Sequence, residues 1–268
     1  METLPAGVPL PAPETLHPAL WRAHQLGRAR EAAVPTGFAA LDAELPGGGW
    51  PRRVLTELLL PHAGVGEMRL LAPALAAIST AAPPAPRSLL LFDPPSPPCA
   101  AALAPLGVDP QALIVVHGRD GVHGARHLLP SADLLWALEQ ALKSGQVGAV
   151  LAWLPARLRA DTLRRLQLAA QAHDGPVFLF RDIEVRLRPS PAPLRLALHS
   201  AGADGLGLQL LKRRGPVLAR PLRLALPSVL APLPRARAEA AQCLAQAMQG
   251  VAGAAAGAAR HAAAALPG

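Results

Sequence analysis

A glycine-bearing loop, Gly64-Val65-Gly66, follows the apolar run Leu55–Leu60 and leads into Glu67, Met68 and Arg69 at the head of a second apolar stretch. Strand, glycine loop and helix start together form a cradle for a nucleotide phosphate, because free backbone N–H groups and the positive end of the helix dipole converge there. The phosphate-gripping loop reads G-x-x-x-x-G-K-[ST], with the lysine on the terminal phosphates and the hydroxyl on magnesium. Here Glu67 puts a carboxylate where the ammonium is needed, and Met68 puts a thioether where the hydroxyl is needed. Phosphoryl transfer also needs a strand-end aspartate to hold magnesium. The run Val147–Leu154 ends in Ala152, Trp153 and Leu154 instead. The expectation is a degenerate phosphate loop (Gly64, Gly66, Glu67, Met68) with no catalytic residue, no metal and no cofactor.

The elements that would position this loop follow from periodicity. Pro35–Arg69 reads as a turn, a helix Phe38–Leu45, a glycine run, a Trp-Pro-Arg-Arg bend, the strand Leu55–Leu60 and the loop. A helix Glu67–Ile78 follows, interrupted in pattern by Pro73. Ser88–Phe92 is a continuous apolar run suited to a parallel strand buried on both faces. A short helix Ala100–Leu106 and a strand Leu113–Val116 come next. Ser131 caps a helix with Leu135, Leu138 and Leu142 on one face, ended by Gly145. The strand Val147–Leu154, a helix Asp161–Ala172 and a strand Val177–Phe180 complete the βα series. In that helix Leu163, Leu166 and Ala170 face inward, Arg164 and Arg165 outward.

The period then changes to two, in Leu194/Leu196/Leu198, Leu206/Leu208/Leu210 and Leu222/Leu224/Leu226, with Asp204-Gly205 as a hairpin signal. The fold class is therefore α/β, a mostly parallel sheet flanked by helices with an antiparallel C-terminal extension. Residues 1–17 hold four prolines and read as a disordered leader. Residues 18–234 read as one domain, opening on a short helix Pro18–Arg30 with Leu20, Trp21 and Leu26 as anchors. Residues 235–268 read as an Ala/Gly-rich tail, helical at Ala236–Met248 and then disordered.

The composition excludes several classes. Pro and charged residues break up the leucine-rich runs, so no spanning helix is expected, and the N-terminus lacks the basic and apolar regions of a secretory signal. Cys99 and Cys243 have no C-x-x-C spacing, which argues against a disulfide framework or a zinc site. His117, His123 and His127 read as part of a loop rather than a ligand set. The expected compartment is the cytoplasm. The net charge is +8, and residues 157–237 carry 15 Lys and Arg against 5 Asp and Glu. That local excess suits nucleic acid or an acidic protein face, with ordinary solvated surface as the plain alternative.

The spacing of Thr36, Gly37, Leu41, Asp42, Leu45, Gly47, Gly48, Gly49, Pro51, Arg52 and Glu57 resembles the opening of the RecA recombinase core. The wording LPGGGWPR, then TELLLP, then G-x-G-E in place of the Walker lysine, is closest to ImuA, the RecA-like accessory protein of bacterial error-prone (translesion) DNA synthesis. LWRAHQL at Leu20–Leu26, GAVLAWLP at Gly148–Pro155, RRLQLAAQ at Arg164–Gln171 and LLKRRG at Leu210–Gly215 agree in order, so the resemblance spans roughly residues 18 to 227. It implies a RecA-like core whose partners are an ImuB-type polymerase homologue, an error-prone replicative-type polymerase and RecA itself.

In RecA-like ATPases a glutamate after the second strand polarises the attacking water. Pro94 and Pro95 occupy that neighbourhood here, and Asp93 reads as a strand-end cap. Recombinases hold DNA with loops after the fourth and fifth strands. These correspond to Pro155–Ala160, with Arg157 and Arg159, and Asp182–Pro193, with Arg186 and Arg188. Lys212, Arg213 and Arg214 end the hairpin strand, where recombinases carry lysines that reach a neighbour's nucleotide. These seven cations are the candidate DNA or partner contacts, and neither loop has an aromatic to stack a base. The expectation is weak DNA binding without sequence preference and a function in protein contacts. The runner-up is a cell-division inhibitor like SulA; an active RecA-like ATPase is third.

Overall fold

The structure, a computed structural model, describes residues 33–85, 88–117, 132–215 and 221–229. Within them lies one eight-stranded sheet in the order β3-β2-β4-β5-β1-β6-β7-β8. The strands are β1 (Leu55–Leu60), β2 (Leu89–Phe92), β3 (Leu113–Val116), β4 (Ala149–Trp153), β5 (Val177–Asp182), β6 (Leu194–Ser200), β7 (Gly205–Lys212) and β8 (Leu222–Ala225). Strands β1 to β6 pair in parallel, and β7 runs antiparallel to both β6 and β8. This is an α/β fold of the RecA-like kind, parallel βα units followed by an antiparallel extension. Leu206–Lys212 pairs with Arg195–Ser200, the hairpin that the Asp204-Gly205 signal predicts, with a register shift between Arg195 and Leu196.

Parallel neighbours need crossovers, and the helices that supply them cover both faces of the sheet. That is why β1 and β2 are buried at every position. Leu58, Leu60, Phe178, Phe180 and Leu196 pack on the side of α2 (Glu67–Ser79). Leu55, Ala152 and Leu179 pack on the side of α4 (Ala132–Ser144) and α5 (Ala160–Ala170). Trp50, fully buried, meets Phe178 edge-on at 5.2 Å and is held by a two-residue bridge to Val34. Gly49 permits that bridge, since a Cβ there would lie 2.3 Å from the Val34 carbonyl oxygen.

Several boundaries differ from the pattern. The first helix, α1, is regular only over Ala39–Asp42, with Phe38 as its extended N-cap; Pro46 and the glycines end it early. Ala100–Leu106 splits into α3 (Ala100–Leu103) and a 3-10 turn Ala104–Leu106, since Pro105 has no N–H for the α ladder. In α4 the core face is Leu134, Leu138 and Leu142, an i, i+4, i+8 row, and Leu135 is only half-buried. Strand β4 is shorter than Val147–Leu154, and β5 runs on to Asp182. The loop expected at Asp182–Pro193 contains a 3-10 helix, Ile183–Leu187. The leader 1–17, the helix 18–30, His123 and His127, the Ser131 cap, the 234/235 boundary and the tail 235–268 lie outside the described residues.

Candidate functional site

The phosphate loop is filled from within. Strand β1 ends at Leu60, the chain turns through Pro61–Gly66, and α2 starts at Glu67 with Gly66 as N-cap. The Glu67 side chain folds back over its own loop. Its Oε1 accepts from the Gly64 N–H at 2.7 Å and its Oε2 from the Gly66 N–H at 3.1 Å. Two amides that would face phosphate oxygens therefore face carboxylate oxygens, at a helix N-terminus whose dipole favours the negative charge. Glu67 is only 3% exposed. Met68 packs against the main core cluster, so the place of the magnesium-binding hydroxyl is taken by an apolar contact.

The C-terminal hairpin closes over this loop. A Cβ on Gly66, which has φ +124, would lie 2.8 Å from Leu226 Cδ1 and 3.5 Å from Leu206 Cδ1. Arg69, one residue beyond Met68, is not free to serve a phosphate. Its Nη1 donates to Asp204 Oδ1 at 2.8 Å and its Nη2 to the Ala203 carbonyl at 2.9 Å, which ties the first turn of α2 to the β6–β7 turn. At the end of β4, where an aspartate would hold magnesium, Trp153 stacks on Phe180 at 4.4 Å and Ala152 and Leu154 are buried. Asp93 ends β2, which β4 and β5 separate from β1, and its carboxylate lies 3.9 Å from His117 Nδ1. Among the described residues no cluster of His, Cys, Asp and Glu has metal-binding geometry.

The opposite face of the sheet carries a second buried charge centre. Glu57, the one acidic residue in the β1 run, is fully buried between Arg181 of β5 and Arg195 of β6. Arg181 Nη1 donates to Glu57 Oε1 at 3.0 Å, and Arg195 Nε donates to Oε2 at 2.6 Å. Each guanidinium then donates as well to a surface segment. Arg181 Nη2 donates to the Ala156 carbonyl at 2.9 Å. Arg195 donates to the carbonyls of Val185 at 3.1 Å, Arg188 at 3.1 Å and Arg186 at 3.4 Å. The planar fork of arginine donors allows one side chain to meet a carboxylate and a loop backbone together.

The seven cations picked from sequence fall in two groups. Arg157 and Arg159 after β4, and Arg186 and Arg188 after β5, are all exposed, on the two segments that the Arg181–Glu57–Arg195 triad anchors. Lys212, Arg213 and Arg214 do not form one cationic face. Lys212 donates to the Ser190 carbonyl at 2.9 Å. Arg213 turns inward onto Glu44, binding its carboxylate at 2.8 Å and its carbonyl oxygen. Arg214 lines a small apolar cleft with Pro46, Pro51, Val54 and Pro193. Alternation at the strand end turns Arg213 away from Lys212 and Arg214, which lie beside Ser190 and Pro193.

Sequence reasoning missed the triad, the Arg69–Asp204 lock and the folded-back posture of Glu67. A signal for the triad was present. Glu57 and Arg195 are charges inside otherwise apolar strand runs, and a buried charge requires a partner. A further buried group, His173, sits after α5 with neither ring nitrogen hydrogen-bonded, and burial pushes its pKa down to about 4.

The fold and the loop together define a class: a RecA-like α/β core whose phosphate cradle is occupied by its own glutamate. In comparisons with known proteins, no family model matches the chain and no curated protein matches it.

Proposed function

We propose that this chain is an ImuA-like, non-catalytic accessory protein of DNA-damage-induced translesion synthesis. It acts in the cytoplasm and organises an error-prone polymerase complex through protein contacts. The observation that carries the reading is the Glu67 carboxylate seated on the Gly64 and Gly66 amides. Losing the lysine removes charge stabilisation of a transferring phosphoryl group and adding a carboxylate repels it; each is worth several kcal/mol of transition-state stabilisation. The Trp153–Phe180 stack in the magnesium position supports the same reading. The polymerase assignment rests on the resemblance carried by the Thr36–Glu57 motif and by G-x-G-E.

The reading has two tests. Isothermal titration of magnesium-ATP into the protein should give no binding at micromolar concentration, and Glu67→Lys with Met68→Thr should remain without hydrolysis because nothing holds the metal. Measurable turnover in either protein would restore the ATPase alternative. Affinity capture of the tagged chain from DNA-damaged cells should recover an ImuB-type polymerase homologue and an error-prone replicative-type polymerase. Recovery of cell-division proteins in their place would move the assignment to the SulA-like reading.

A further inference from the structure

Two surface segments, one after β4 and one after β5, are built into one platform. The segment after β4 and the segment after β5 are both hydrogen-bonded to arginines that share Glu57. They also share a small apolar core, in which Ala156 from the first and Ile183 and Val185 from the second pack with Leu59 and Ala197. Within the second segment, the Arg188 N–H donates to the Val185 carbonyl at 2.9 Å, closing the 3-10 helix Ile183–Leu187. The carbonyls of Ala156, Val185, Arg186 and Arg188 thus accept hydrogen bonds from the two arginines, and the side chains of Arg186, Leu187 and Arg188 are exposed. Leu187 is 87% exposed, the most exposed large apolar side chain among the described residues. Arg157 and Arg159 are exposed on the adjoining segment.

We infer that this platform is the docking site for an acidic peptide segment of a partner protein, with an apolar side chain seated against Leu187. The inference deepens the interaction-module reading above and rests on it. Charge complementarity selects an acidic occupant, because the four arginines outnumber the carboxylates of Asp182 and Glu184 on the same segments. Three features select peptide over nucleic acid. Neither segment has an aromatic ring for a base to stack on, and the nearest tryptophan, Trp153, is spent on Phe180. Asp182 and Glu184 are both exposed and break the cationic stripe that a phosphate backbone would follow. An exposed leucine flanked by arginines offers a peptide both a hydrophobic anchor and charge pairing, whereas phosphates would leave it unused.

The test uses the full chain and fluorescently labelled probes: a short peptide alternating glutamate and leucine, the same peptide with serine for leucine, and an oligothymidylate of equal charge. The wild-type chain should bind the Glu/Leu peptide more tightly than the other two. Arg186→Glu with Arg188→Glu should weaken that binding at least roughly tenfold, and Leu187→Ser by roughly threefold. These side chains are exposed, so unchanged thermal melting of both variants would show that the fold is kept. Tighter binding of oligothymidylate than of the Glu/Leu peptide would overturn the proposal in favour of a nucleic-acid site. Peptide binding that is absent in the wild type, or unchanged in the double variant, would also overturn it. Polymerase capture by the double variant at wild-type level would refute the platform while leaving the interaction-module reading intact. Failure of the wild type to capture any polymerase would refute that reading instead.

Discussion

Glu57 and Glu67 are the same residue, ten positions apart and both buried, yet they are stabilised in opposite ways. Glu67 takes its hydrogen bonds from the amides of Gly64 and Gly66 in its own loop. Glu57 takes its partners from Arg181 and Arg195, 124 and 138 residues further along the chain. The local solution closes a site: the cradle that would take a phosphate is satisfied by the chain itself. The long-range solution opens one: each arginine that neutralises Glu57 has donors left over, and these hold two surface segments in place. Backbone amides at a helix N-terminus can carry one carboxylate without a counter-ion. A carboxylate in the middle of a sheet face cannot, because desolvation there must be offset by opposite charge.

The largest effect is expected at Glu57. Glu57→Ala leaves two guanidiniums buried without a counter-charge, and urea denaturation should show a loss of about 3–5 kcal/mol. Replacing Glu57, Arg181 and Arg195 all by leucine should recover much of that loss. A triple variant as unstable as the single one would mean that the cost lies in packing and not in unpaired charge.

His173 is a buried ionisable group whose ring nitrogens have no hydrogen-bond partner. Its folded pKa is lowered from 6.5 to about 4 by burial. Across that window the unfolded chain binds more protons than the folded one. Stability present at neutral pH is therefore lost as the pH falls from about 6.5 towards 4, by up to about 3 kcal/mol. The readout is the difference between wild type and His173→Leu in unfolding free energy across that range; parallel pH profiles would rule the titration out.

The smallest effect belongs to the local solution. Glu67→Ala should cost about 1–2 kcal/mol, because the Gly64 and Gly66 amides lose a charged acceptor but water can reach an opened loop. Inorganic pyrophosphate should then raise the melting temperature of Glu67→Ala and leave that of the wild type unchanged. Equal stabilisation of both would show that the carboxylate does not occupy the cradle in solution.

Much of this was legible before any coordinates. The glycine loop, the missing lysine, the change of period after Phe180 and the Asp204-Gly205 turn all depend on neighbours in sequence. The same holds for the motif residues around the opening turn. Asp42, six residues on, accepts the Thr36 N–H at 2.9 Å. Gly37 is the exception: at φ +84 it makes room for the ring of Pro73 in α2, which would meet a Cβ at 2.4 Å and is no neighbour in sequence. Pattern reading erred where two adjacent leucines competed for one face, as with Leu134 and Leu135, because the roughly 100° between adjacent helical residues lets either one border the core.

By itself, then, the sequence determined the α/β class, the strand series and the placing of Glu67 and Met68 after the glycine loop, since period and local spacing dictate all three. It also determined that Lys212, Arg213 and Arg214 are basic, but not where they point. Only the tertiary structure decided that Arg213 turns in to Glu44, that Arg69 is spent on Asp204, and that Glu57 joins β5 and β6 to two surface segments. Those outcomes depend on which strands become neighbours. In a parallel sheet, neighbours are brought together by crossovers dozens of residues long, so the partner of a buried charge cannot be read from the residues beside it.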